Sequence, residues 1–136
     1  MMLYLDTSAV VKLYATESGS GAIRQAVAAA HDAATSLIAY AETRAAFARK
    51  YRMREIEGQE LDRIKRQFDM DWQHFNQLPV EREIVRLAGD LAERFGLKGY
   101  DAVHLATADR LYARSGRRYR SHVLTPRNMP PLRPSG

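Results

Sequence analysis

The apolar run Met2-Leu3-Tyr4-Leu5 meets a carboxylate at once, in Asp6-Thr7-Ser8. A run this short has the length of a buried strand, and Asp-Thr-Ser is a helix start signal. Short apolar strands alternating with helices argue for a parallel sheet covered on both faces. The rest of the chain keeps that alternation. Ala9 to Ala15 continues the first helix, Ser18-Gly19-Ser20-Gly21 breaks it, and an alanine-rich helix resumes from Ile23 to about His31. Ala33-Ala34-Thr35-Ser36 is expected to end a second strand, with Ser36 capping a helix from Leu37 to about Tyr51. Residues 55–76 are charged and amphipathic, with Ile56, Leu61, Ile64, Phe68, Trp72 and Phe75 at helical spacing, until Leu78-Pro79-Val80 stops them. The next helix runs from about Arg82 to Phe95 and ends at Gly96, where a left-handed residue is wanted. Another runs from Asp101 to about Ser115, and Ser121 to Thr125 is expected to form a last strand. The fold class is therefore α/β, helix-rich, with a central parallel sheet.

A length of 136 residues suits one domain and allows a core without staples; with no cysteine, thiol nucleophiles, thiolate zinc sites and disulfide scaffolds are excluded. The domain is expected to span residues 1–125, followed by a loose Pro/Arg-rich tail at 126–136 that can continue neither helix nor sheet interior. No apolar stretch approaches a secretion signal or a membrane span, so a cytoplasmic protein is expected. The net charge of +5 is unevenly placed. Residues 1–109 carry 14 Lys/Arg against 16 Asp/Glu, whereas residues 110–136 carry seven Arg and no acid. An arginine-rich end is suited to bidentate contact with phosphates, although a solvated basic tail would look the same.

Three carboxylates stand out. Asp6 ends a strand, and ligands of open parallel sheets bind outside the carboxyl ends of strands; it is also an ordinary N-cap type. Glu42 has Ile38, Ala39, Ala45 and Ala46 as its helical neighbours, so it faces apolar surroundings and needs a partner or a cation. Asp101 opens a helix among small and apolar residues. Asp90, flanked by charges, reads as surface, and Asp109 reads as a partner for an Arg, about 12 Å along the helix from Asp101. His31, His74, His104 and His122 are scattered and read as structural or exposed, and Phe68, Trp72 and Phe75 as core or dimer surface. A negative cluster from separate elements calls for a hard divalent ion, and oxygen donors favour Mg²⁺ or Mn²⁺ over zinc. Such an ion lowers the pKa of a bound water and neutralises phosphate oxygens, so phosphodiester hydrolysis is the natural reaction.

The segments LDTSAVVKLY at 5–14, Glu42 in a helix preceded by Ser36, and LKGYDAVHLATA at 97–108 resemble the PIN-domain ribonucleases of the VapC toxin type, in order and spacing over roughly residues 2–115. The resemblance implies an α/β/α sandwich, a Mg²⁺ or Mn²⁺ cofactor and a cellular RNA substrate such as tRNA or rRNA. It also implies a VapB-like antitoxin partner and a homodimer. Asp6, Glu42 and Asp101 fall on the family's metal-site acids, and Thr7 and Ser8 on its hydroxyl positions. One departure concerns a fourth acid that the family usually carries in a Thr-x-Asp context after the last strand. Here Thr125-Pro126-Arg127 stands in that place, and no acid follows Asp109. A weaker or one-metal site follows, and with it an alternative function: a catalytically weakened module that binds RNA or antitoxin without efficient cleavage. An aspartyl phosphatase of the haloacid dehalogenase type ranks below both, since it needs a second Asp where Ser8 stands.

Overall fold

A computed structural model describes residues 2–115. Three parallel strands, β1 (Met2–Tyr4), β2 (Asp32–Ser36) and β3 (Asn76–Leu78), form a sheet in that order. The register pairs Leu3 with Ala33 and Thr35 with Gln77. The crossover from β1 to β2 carries α1 (Thr7–Tyr14) and α2 (Ser20–Ala29), and that from β2 to β3 carries α3 (Ala39–Arg52) and α4 (Gly58–Trp72). Helices α5 (Arg82–Phe95) and α6 (Gly99–Ser115) follow.

The two-residue period of β1 divides the interior. Leu3 and Leu5 pack with Val10, Tyr14, Phe47, Ile64 and Phe68 from α1, α3 and α4. Tyr4 turns the other way and packs with Ala34 of β2 and with Ala108 and Tyr112 of α6. Helix α5 adds Ile84 and Ala88 against Ala102 and Ala106. The expected α/β/α sandwich with a central parallel sheet is thus the observed architecture. Trp72 and Phe75 pack against the core that contains Phe68, so the aromatic residues of this segment serve packing.

Several boundaries differ from the sequence expectation. The amphipathic segment does not run to residue 76: α4 ends at Trp72, and Asn76–Leu78 is a strand. Asn-Gln-Leu has no strand pattern of its own, and its extended form is set by the ladder to β2. Ser36 is not the N-cap of α3; Ile38 is, and the Ser36 hydroxyl accepts only a long 3.4 Å bond from the Ile38 N–H. Helix α6 starts at Gly99, which moves Asp101 from the cap into the first turn. Gly96 holds the expected left-handed conformation, with φ 65°. The strand expected at 121–125 and the tail at 126–136 lie outside the described residues. Among those described, no helix is long and apolar enough to cross a membrane.

Candidate active site

The ends of β1 and β2 and the first turns of α1, α3 and α6 meet at one edge of the sheet, the carboxyl side, where an open parallel sheet leaves its crevice. The Thr35 hydroxyl closes this edge by donating to the Leu5 carbonyl at 2.7 Å. Asp6 leaves β1 in an extended conformation and caps α1, its Oδ1 accepting from the Ala9 N–H at 2.9 Å and from the Ser8 hydroxyl at 3.1 Å. Both donors fall on Oδ1. Among the described residues none bonds Oδ2. Burial pushes the Asp6 carboxyl above its ordinary value, with Asp101 adding to the rise, against the lowering effects of the Ala9 amide, His104 and Ser8.

Asp101 accepts no hydrogen bond among the described residues, and with Thr7 and Ser8 it lines a cleft of about 450 Å³ whose other walls include Glu17, Arg49 and Lys50. One side of that cleft is braced by ions. Glu17 takes Lys12 at 3.1 Å and Lys50 at 2.7 Å, linking α1 and its following loop to the end of α3. Partial burial opposes its ionisation, but the two ammonium groups prevail and hold Glu17 low.

Glu42 has the partner that its apolar neighbours demanded. Its Oε1 accepts from the Thr7 hydroxyl at 2.6 Å and lies 2.9 Å from His104 Nε2. Desolvation works to raise its pKa, but the bonds from His104 and Thr7 outweigh it and leave the carboxyl lowered. His104 is 3% exposed and has Tyr4 Oη 2.7 Å from Nδ1. This histidine is the member of the candidate site that sequence reasoning missed. Its available signal was position, three residues after Asp101 and so on the same side of α6. Asp109 makes no ion pair among the described residues; its neighbour Arg110 reaches Glu83 at 3.9 Å.

Thr7, Ser8 and Asp101 therefore share one cleft, the buried Asp6 lies behind Ser8 within electrostatic reach of Asp101, and Glu42 joins them through Thr7. No group of three or more His, Asp or Glu side chains among the described residues is assembled as a metal cage. The donor chemistry nevertheless suits a hard cation. Both carboxylates have oxygens without protein donors among the described residues, and a divalent ion would offset the burial that chiefly raises Asp6 and the smaller repulsion from Asp101. A second groove, about 520 Å³ between α1, α2 and α4, contains none of the acids nominated from the sequence.

Residues 3–116 match the PIN domain family. The chain belongs to it. Among the relatives of this PIN domain, Ribonuclease VapC49 of Mycobacterium tuberculosis strain H37Rv is 36% identical over 107 residues, covering 79% of this chain and 74% of the relative. Ribonuclease VapC46 of the same strain is 36% identical over 115 residues, covering 85% and 80%. A toxin-antitoxin complex from Klebsiella pneumoniae superposes with a TM-score of 0.60 at 24% identity, over 80% of this chain and 79% of that one. FitAcB from Neisseria gonorrhoeae gives 0.62 at 18% identity, over 82% of each chain. At these identities the structural likenesses establish the fold, and the PIN domain's resemblance to VapC proteins rests on the sequence matches.

Proposed function

We propose that this chain is a metal-dependent endoribonuclease toxin of the VapC kind, cleaving cellular RNA such as tRNA or rRNA and held inactive by a VapB-like antitoxin. The observation that carries the reading is Asp101 lining a cleft beside Thr7 and Ser8 on the carboxyl edge of a parallel sheet, with the buried carboxylate of Asp6 close enough for Asp101 to raise its pKa. Relatives named Ribonuclease VapC support the activity, and the toxin-antitoxin complex among the structural neighbours supports the partner. A homodimer belongs to the same proposal.

In this reading Asp6 and Asp101 hold Mg²⁺ or Mn²⁺. The ion, when bound, supplies an activated water and charge neutralisation at the scissile phosphate. Ser8 and the Ala9 amide keep Asp6 Oδ1 occupied, so that Oδ2 is the oxygen left for the ion. Glu42, anchored by Thr7 and His104, completes the donor set or orients the attacking water. Arginines of the last fifth of the chain track the RNA backbone.

The test is cleavage of purified tRNA and rRNA with Mg²⁺ or Mn²⁺, with EDTA as control. The expected result is EDTA-sensitive cutting by the wild type that Asp6→Asn and Asp101→Asn each abolish while the fold persists. Full activity in both variants would overturn the assignment. A second reading, a module that binds RNA or antitoxin without efficient cutting, is favoured by the lack of any acid beyond Asp109 and by Glu42 facing His104. Tight RNA binding without metal-dependent cutting would select it.

A further inference from the structure

Tyr4, His104, Glu42 and Thr7 form one connected hydrogen-bond chain running from the buried face of β1 to the cleft. Proton counting constrains it. The single proton of the Thr7 hydroxyl is spent on Glu42 Oε1, and an ionised carboxylate can only accept. His104 Nε2 lies 2.9 Å from both Glu42 Oε1 and Thr7 Oγ1, so a bare lone pair on Nε2 would face acceptors. Nε2 must therefore carry the hydrogen, whether the ring is neutral or charged. A flipped ring would turn carbon atoms toward Tyr4, Thr7 and Glu42 and forfeit all three contacts. On the far side, the Tyr4 hydroxyl is fully buried and meets Nδ1 at 2.7 Å.

Building on the nuclease reading above, we propose that Tyr4 and His104 are positioning residues. The imidazole presents Nε2–H to Glu42 Oε1, and the Tyr4 hydroxyl fixes the ring by bonding Nδ1, so that Oε2 is the oxygen left for the reaction. The arrangement belongs to residues that are neither of the paired acids. Outer partners of this kind orient the groups that touch the reacting atoms. The cost of losing one is a misplaced carboxylate rather than a lost binding surface, so the effect falls on kcat and spares KM.

Two measurements on the full chain test this. Two-bond ¹H–¹⁵N correlations on ¹⁵N-histidine-labelled protein report which ring nitrogen of His104 is protonated, independently of any nuclease activity. Protonated Nε2 is expected; an Nδ1–H tautomer with bare Nε2 would overturn the proposal. The second measurement is RNA cleavage by His104→Asn, His104→Gln and Tyr4→Phe. The Asn amide reaches Tyr4 but not Glu42, and kcat should fall about 10–100-fold with little change in KM. The Gln amide extends to the place of Nε2–H and should recover most of that loss. Tyr4→Phe keeps the buried ring and so guards against a folding artefact; it should lower kcat with KM retained. Equal activity in the Asn variant and the wild type, or equal loss in Asn and Gln, would contradict the positioning role. A wild type that cleaves nothing would remove that role together with the nuclease reading, while the histidine spectrum still separates wrong geometry from wrong function.

Discussion

At the scale of single residues, Asp6 costs the fold stability by holding a carboxylate in the interior. It is 7% exposed, and burial, its largest influence, raises its pKa with Asp101 adding to the rise. The native state therefore holds this proton after the unfolded chain has released it. As pH climbs from the ordinary carboxylate range through the raised folded value, unfolding becomes easier and the contribution of Asp6 to stability is lost. In EDTA at neutral pH, Asp6→Asn should melt higher than the wild type, by roughly 2–4 °C for each kcal/mol recovered, because Asn caps a helix as well as Asp does. The gap should close as the pH is lowered into the acid range. Thermal unfolding across that series checks it, and a wild type as stable as the variant at neutral pH would argue against a desolvated carboxylate. Glu42 has the opposite sign. Its lowered pKa stabilises the native state above the ordinary range and is lost on acidification. The sequence made Asp6, Glu42 and Asp101 legible because each violates an expectation of solvation or sits at a strand end or helix start. It hid His104 because an isolated histidine among Ala, Val and Leu looks like core, and only the folded chain brings Tyr4 from 100 positions away.

At the scale of elements, the helices were readable and the shortest strand was not. Amphipathic spacing located α4 and α5, and a glycine in the left-handed region ended α5 as its position suggested. β3 has no alternation and no β-branched residue, and it exists because β2 offers it a ladder. An aromatic cluster joins α1, α3 and α4. The Phe68 ring lies 5.4 Å from that of Tyr14, 5.5 Å from those of Tyr40 and Trp72, and 5.8 Å from that of Phe47. Phe68 is fully buried, so Phe68→Ala should cost about 3–5 kcal/mol in urea unfolding. It touches none of the nominated acids, and the folded fraction should keep its metal affinity. A loss below about 1 kcal/mol would mean that α4 is not locked to the core by this ring.

At the scale of the whole molecule, charge is segregated from chemistry. The acids nominated for the site all lie before residue 110, while the last 27 residues carry seven arginines and no acid. If those arginines hold a nucleic-acid backbone, replacing Arg117, Arg118 and Arg120 with Gln should weaken RNA binding without lowering kcat. It should also flatten the salt dependence of binding, by about 0.7 in log–log slope for each lost contact to single-stranded RNA. An unchanged slope would assign these arginines to something other than the substrate. The architecture as a whole was legible, since alternating short strands and helices admit few alternatives to a covered parallel sheet. The candidate site could be nominated from the sequence as a set of residues, but the anchoring of Glu42 by His104 depends on side-chain directions that spacing does not encode.

The most direct measurement is calorimetric titration of Mn²⁺ into the metal-free protein and into Asp6→Asn and Asp101→Asn. Saturable binding to the wild type that is lost in both variants is the predicted result. Binding that survives both substitutions, or a wild type that takes up no ion, would contradict the claim that these two carboxylates form the cation site.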